Sequence, residues 1–429
     1  MRVVNCVAAA AAVALTSTSV AQSARLVSVG YRTPAALHGL QVVQRVPGLR
    51  TAEVRVRNRR VERALRARPG IRFVQRIVAR TETGGPILPA ATSATVPEWQ
   101  WTAMHTDQVP QWVLQQAASV TIAVIDTGAD ITVPSIAAKH PITYNVVTGN
   151  SLVQDLVGHG TFVASLAGGA ISDPSGMAGF GGEAQLMIVQ ANRSGAGFSD
   201  IDEANAIVWA VDHGAKIVNL SFGGSQTSLV ERYAIEYAIS HRVLLVAAAG
   251  NSAQEGNPVV YPAALIGRQG LVVGASVASG SRAPFSTTGS YVDVLAPGVD
   301  VLGALAGGIP TGFFSPALTP GATGSYGFGS GTSYAAPEVA GAAALVWAAN
   351  PGLDPAGVAA VIEASASGQG VWTQELAFGN VDAAAAVQRA AGGGLPPQLL
   401  PAARPGKTKV SKPKSTPPRV RAKTAKRGR

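Results

Sequence analysis

The chain has 429 residues, of which 47% are hydrophobic and 14% charged, with 49 Gly and 27 Pro. The apolar share is enough for a packed core, which excludes disorder throughout, and the glycines keep no three-residue period, which excludes a collagen-like chain. The net charge of +10 is unevenly placed: residues 22–97 hold 14 Arg and 3 Glu, residues 98–390 hold 8 basic and 21 acidic residues, and residues 391–429 hold 11 basic residues and no acid. An acidic middle region argues against nucleic acid as its substrate.

Arg2 opens an apolar run from Val3 to Leu15, followed by Thr16, Ser17, Thr18, Ser19, Val20 and Ala21. A charged start, a short apolar stretch and a small-x-small end predict a secretory signal peptide over residues 1–21. Cleavage after Ala21 removes Cys6, the sole cysteine. Disulfides, a cysteine nucleophile and a cysteine-based zinc site are then excluded. No later apolar run reaches membrane-spanning length, so no transmembrane helix is expected.

Leu40–Val46 and Ala52–Val56 are predicted strands, Val61–Ala67 a short helix stopped by Pro69 and Gly70, and Ile71–Val78 a further strand. Together they form a small α/β module, and residues 81–97 are expected to be an exposed connector. From residue 98 to 390 strands and helices alternate. Predicted strands are Val120–Ile125, Ala184–Gln190, Ile217–Phe222, Val243–Ala249, Leu271–Ala275 and Val292–Leu295. Predicted helices are Thr161–Gly169, Ile201–His213, Leu229–Ser240, Tyr334–Ala349 and Pro355–Ala366. The fold class expected is α/β, a mainly parallel central sheet with helices on both faces. Residues 303–330, rich in Gly, Pro, Ser and Thr, are read as a long surface loop. Residues 391–429 combine Pro, Lys and Arg with few large apolar residues and are expected to be a disordered basic tail.

Three segments carry chemistry. Ile125-Asp126-Thr127-Gly128 ends the first buried strand, where open α/β sheets bind ligands. Gly158-His159-Gly160-Thr161 precedes a helix, and Gly331-Thr332-Ser333 enters the long Ala-rich one. A serine hydroxyl becomes a nucleophile when an imidazole takes its proton and a carboxylate holds the imidazole in the right tautomer.

The segments AVIDTG, GHGTFVA, NLSFGG, AAAGN and SGTSYAAPEVAG, in this order across roughly residues 98–390, resemble the subtilisin-like serine proteases, the subtilases of peptidase family S8. The resemblance implies catalytic Asp126, His159 and Ser333, with Asn251 as oxyanion donor. It implies that Ser221, Phe222 and Gly223 on one side, and Gly195, Ala196 and Gly197 on the other, clamp an extended polypeptide substrate, with Val260 near the floor of the specificity pocket. No acid stands among these pocket residues, so an apolar residue before the cut bond is expected. Phe162, Tyr334 and Glu338 depart from residues common in the family.

The resemblance further implies that residues 22–97 are a propeptide and connector, the propeptide assisting folding and capping the site as an intramolecular inhibitor. Its charge, opposite to that of the acidic middle, predicts electrostatically assisted docking. No cofactor is required. The resemblance admits calcium as a structural ion, but Asp130, Asp155 and Asp173 are scattered, form no ligand ladder, and no ligands are assigned. The expected protein is secreted, and its basic tail suits an anionic surface. The competing reading is a subtilase-like scaffold that binds or anchors without catalysis.

Overall fold

The computed structural model describes residues 25–82, 98–170, 177–193, 197–267, 270–308, 314–316 and 326–392. The expected signal peptide, the basic tail beyond Gly392, most of the connector, Asp173, Gly195 and Ala196 lie outside the described residues.

An N-terminal module comes first. Strands β1 (Arg25–Tyr31), β2 (Gln41–Val46), β3 (Thr51–Val56) and β4 (Ile71–Arg76) pair in the order β2-β3-β1-β4. The pairings are antiparallel, and the Arg59–Arg66 helix lies between β3 and β4 in sequence. The sequence reading missed β1, although its alternate residues Val27, Val29 and Tyr31 are buried in the module's core. Residues 79–82, the last two of which were assigned to an exposed connector, form strand β5 (Ala79–Glu82).

The larger domain is built on β6 (Thr121–Asp126), β7 (Ile142–Asn145), β8 (Gln185–Gln190), β9 (Phe198–Ser199), β10 (Ile217–Leu220), β11 (Phe222–Gly223), β12 (Leu244–Ala248), β13 (Leu271–Ser276) and β14 (Val294–Pro297). Seven of these make one parallel sheet, ordered β7-β8-β6-β10-β12-β13-β14. Side chains alternate across it, as strand geometry requires. Ile122 and Val124 pack with the His159–Gly168 and Thr332–Ala349 helices, whereas Ala123 and Ile125 pack with the Asp200–Asp212 and Leu229–Ser240 helices. Both faces are therefore covered, which accounts for the near-continuous apolar strands. The chain order reverses between β6 and β10, so a crevice opens beyond the carboxyl ends of those strands.

Residues 303–330 are not a simple loop. Strands β15 (Val301–Ala304), β16 (Phe314–Pro316) and β17 (Tyr326–Gly329) form an antiparallel sheet in the order β15-β17-β16. It packs against the His159–Gly168 helix through Phe314, whose ring stacks on Phe162 at 4.5 Å between centroids. Tyr334 joins them, 4.7 Å from Phe162. Two of the residues that depart from the family pattern, Phe162 and Tyr334, thus pack together and against this added sheet.

Candidate active site

Asp126 is the last residue of β6, and its carboxylate oxygen Oδ1 accepts from the Thr127 N–H at 2.7 Å and from His159 Nδ1 at 2.8 Å. With Nδ1 donating, neutral His159 presents Nε2 as an acceptor. The close approach of the two residues depends on Gly160. A Cβ there would stand 2.2 Å from the Gly128 carbonyl oxygen and 3.1 Å from Asp126 Oδ1. Burial disfavours the His159 imidazolium, but Asp126, with help from Glu82 and Asp155, holds its pKa above the ordinary value.

Ser333 stands in the first turn of the Thr332–Ala349 helix. Its Oγ donates to the Ser221 carbonyl at 2.8 Å, and the Ser221 hydroxyl donates to the Ser333 carbonyl at 2.8 Å. The buried Asn219 side chain donates to the Ser221 hydroxyl in turn, at 2.8 Å. Asn251 follows β12. Its Oδ1 accepts from Thr332 N–H at 2.9 Å and from Thr332 Oγ1 at 3.0 Å. The carboxamide is anchored through its oxygen, so its nitrogen is the atom that can donate to a substrate. Val260 lies behind this turn. Gly250 has φ +102°, and a Cβ on it would stand 2.6 Å from Val260 Cγ2, so residue 250 is confined to glycine by space as well as by backbone conformation.

The crevice holds a strand. β5 lies between β11 and β9, antiparallel to both: Glu82 pairs with Phe222, Thr81 with Gly223, Arg80 with Phe198 and Ala79 with Ser199. The expected clamp residues Ser221, Phe222 and Gly223 therefore stand at one wall. On the other wall Phe198 and Ser199 pair with the strand, while Gly195 and Ala196 of the expected clamp lie outside the described residues. Of the Gly195–Gly197 segment, Gly197 lies beside the strand, its Cβ position 3.5 Å from the Arg80 carbonyl oxygen. Glu82, at the end of β5, is close enough to His159 and Asp126 to feel both charges. Burial, more than these charges, raises its pKa to about 7.

One residue the sequence reading did not place is Asp155. Its Oδ1 accepts from Thr127 Oγ1 at 2.8 Å, Val157 N–H at 3.1 Å and Gly158 N–H at 2.7 Å. Its Oδ2 accepts from Thr161 N–H at 2.8 Å and Thr161 Oγ1 at 2.7 Å. Asp155 thereby ties the loop bearing Asp126 to the start of the helix bearing His159. The carboxylate is taken up by protein donors, which does not suit a calcium ligand. Asp130 is similarly engaged, by Thr132 and the Gly307 N–H. Among the described residues no three carboxylate, imidazole or thiol groups converge to hold a metal.

The family model for the subtilases matches residues 117–393. The chain is similar to a thermophilic serine proteinase from Bacillus sp. (strain AK1), with 36% identity over 236 residues, 54% of this chain and 53% of that protein. It is also similar to thermitase from Thermoactinomyces vulgaris, 33% identical over 287 residues, which are 66% of this chain and 93% of thermitase. The crystal structure of fervidolysin from Fervidobacterium pennivorans, a keratinolytic enzyme related to subtilisin, superposes with a TM-score of 0.74 at 24% identity. That alignment covers 88% of this chain and 62% of fervidolysin. The chain thus spans about half the length of the first relative and most of the second. The matched residues contain the parallel sheet, Asp126, His159, Asn251 and Ser333, and on this ground the chain belongs to the subtilase family, peptidase family S8.

Proposed function

We propose that the protein is a secreted serine endopeptidase, made as a precursor whose N-terminal module is a propeptide. The observation that carries the reading is the juxtaposition of the Asp126–His159 hydrogen bond with a strand running between β9 and β11 to the same crevice. In the proposed reaction Ser333 Oγ attacks the substrate carbonyl while His159 Nε2 takes the hydroxyl proton, and Asp126 stabilises the imidazolium that forms. The developing oxyanion is received by the Asn251 amide and the Ser333 backbone N–H. The imidazolium then returns its proton to the leaving amine, and water releases the acyl group by the same steps in reverse.

Residues 79–82 bind as an added strand, through main-chain pairing on two sides. A segment held in this way blocks substrate, so the precursor is held inactive until the segment is cut and leaves. The basic residues of 391–429 are proposed to meet an anionic surface. The test is to incubate the secreted protein with denatured casein, with and without a serine-directed phosphonate, and to identify the labelled residue by mass spectrometry. Hydrolysis blocked by a label on Ser333 is expected. Casein left intact, with no label on Ser333, would refute the reading.

A further inference from the structure

Arg80 is a surface type of residue in a buried place. It is 1% exposed, although it belongs to a four-residue strand of a different module from the residues around it. Its Nε and Nη2 both donate to Glu231 Oε1, at 2.9 and 2.5 Å. Nε lies 3.4 Å from Glu203 Oε2, and Nη1 donates to the Ala79 carbonyl at 3.0 Å. Asp200 adds its charge to the same cluster. Gly224 forms a side of the pocket, with its Cβ position 3.6 Å from Arg80 Nη1.

The three carboxylates belong to the larger domain and are fully buried. Asp200 and Glu203 are in the first turn of one helix and Glu231 is in the first turn of another. Their neighbours on these helices, Ile201, Ala204, Val230 and Ala234, are core residues. Acids at such positions are costly unless a cation meets them. Glu231 is also held in place, its Oε2 accepting from Thr227 Oγ1 at 2.7 Å. Three acids around one guanidinium leave an excess of negative charge, and burial accordingly raises the pKa of Glu203 well above its usual value and that of Asp200 to about 6. When β5 is absent, the acids remain and the cation is gone.

The register says where a substrate would place its own cation. Glu82 faces Phe222 and Thr81 faces Gly223, so Arg80 falls opposite Gly224. On the other side, Ser221 precedes Phe222, and its carbonyl is 2.8 Å from Ser333 Oγ. A substrate strand in this register puts the residue opposite Ser221 at the nucleophile, and the residue three positions before it in the acidic pocket.

Resting on the endopeptidase reading, we propose that Asp200, Glu203 and Glu231 form a specificity pocket that selects polypeptides with arginine three residues before the residue whose carbonyl is attacked. Lysine fits less well, because an ammonium cannot supply the forked pair of donors that meets Glu231 and a third donor to the preceding carbonyl. The pocket is separate from the apolar one at Val260, so a good substrate combines arginine upstream with an apolar residue at the cut.

The experiment uses protein expressed as the full chain and purified after the precursor has been cut and residues 79–82 released, with four internally quenched peptides. They share an apolar residue at the cut and differ only three positions before it, carrying Arg, Lys, Leu or Glu. Charge-assisted hydrogen bonds of this kind predict kcat/KM for Arg about 10- to 100-fold above Leu, with Lys between them and Glu lowest. Glu231→Gln is expected to lower the Arg-to-Leu ratio about 10-fold. It is made with Arg80→Leu, so that no guanidinium is left among too few acceptors. The wild-type series decides the matter even if this variant fails to fold. Cleavage of all four peptides at similar rates, with Ser333 labelled by phosphonate, would overturn the pocket alone. No cleavage together with an unlabelled Ser333 would overturn the endopeptidase reading and the pocket with it.

Discussion

Asp155→Asn is the perturbation that best separates positioning from chemistry, because Asp155 lies outside the triad and yet joins the two loops that carry Asp126 and His159. The carboxylate accepts five hydrogen bonds. An amide of the same shape keeps one oxygen and replaces the other by a donor. The less costly orientation keeps the three bonds at Oδ1 and turns the NH2 group toward Thr161. Thr161 Oγ1 can rotate to accept, although it already receives the Asp130 N–H at 2.9 Å. The Thr161 N–H cannot rotate, so two donors are left facing each other. A lost hydrogen bond to a charged group is worth ~1.5–3 kcal/mol, so a stability loss of about 2–4 kcal/mol is expected, read as a lowered midpoint in urea. The activity should fall by more than the unfolded fraction explains. His159 would be held to Asp126 with the start of its helix loosened, and a displacement of about 1 Å costs on the order of 10²-fold in rate. The assay is kcat/KM on a peptide substrate at a temperature where the variant is fully folded. Wild-type kcat/KM in a folded Asp155→Asn protein would refute the argument that this carboxylate positions the site.

Further outcomes follow from the same geometry. Ser333→Ala should abolish casein hydrolysis and leave the precursor uncut, whereas Asn251→Ala should retain residual cleavage with kcat lowered ~10²–10³-fold. Full hydrolysis by Ser333→Ala would remove the basis of the mechanism. Glu338 is buried in the long helix and Glu98 lies near it; burial raises the pKa of Glu338 well above the ordinary value and that of Glu98 to about 8. A carboxyl whose pKa is raised by folding costs stability as soon as pH exceeds its unfolded-state value, and the loss grows until the raised value is reached. The midpoint of thermal unfolding should therefore fall as pH rises from about 5 to 8, and less so in Glu338→Gln.

The parts legible in the sequence were those in which side chains carry the signal. The buried strands show as β-branched runs, and Asp126, His159, Asn251 and Ser333 follow strands or open helices in short glycine-rich segments. β1 was legible too, through the alternation of Val27, Val29 and Tyr31, but was overlooked. β5 gave no such signal. Ala-Arg-Thr-Glu has no apolar alternation, because a strand paired on both edges can be held by its backbone. The small sheet of β15, β16 and β17 was hidden for a related reason. Its Gly and Pro content reads as loop, and its anchor is the stacking of Phe314 on Phe162, a contact across more than a hundred residues of chain. Asp155 looked like one of several scattered acids, since nothing local announces five donors converging on it. The acids of the arginine pocket lie in the first turns of two helices, where acids are ordinary. Only the packing shows that they face inward.

The charge asymmetry of the chain suggests that the N-terminal module docks by long-range attraction, yet the contacts divide that idea. Glu53 of the module meets Arg193 of the larger domain at 2.6 Å, a polarity opposite to the overall one. Val46 and Leu49 are buried in the larger domain's core, and Phe73 lies 5.9 Å from Tyr233. The closest contact of the expected polarity is Arg80 with Glu231, which is fully buried and so little screened by salt. Salt should therefore slow association and hardly change how well β5 is held once seated. Proton concentration should matter more. The Glu82 carboxyl, raised to about 7 chiefly by burial, binds its proton more tightly when β5 is docked. Docking thus takes up a proton between the ordinary carboxyl range and pH 7, so it weakens as pH rises toward 7 and changes little above it. The measurement is amide hydrogen exchange of residues 79–82 in the uncut Ser333→Ala chain at pH 5.5, 7 and 8.5, corrected for intrinsic rates, in 20 mM and 500 mM salt. Protection should fall from pH 5.5 to pH 7 and little further by pH 8.5, fall less in Glu82→Gln, and be nearly the same at both salt concentrations. Protection lost in high salt and indifferent to pH would mean that exposed charge, and not the buried contacts of β5, holds the strand in the crevice.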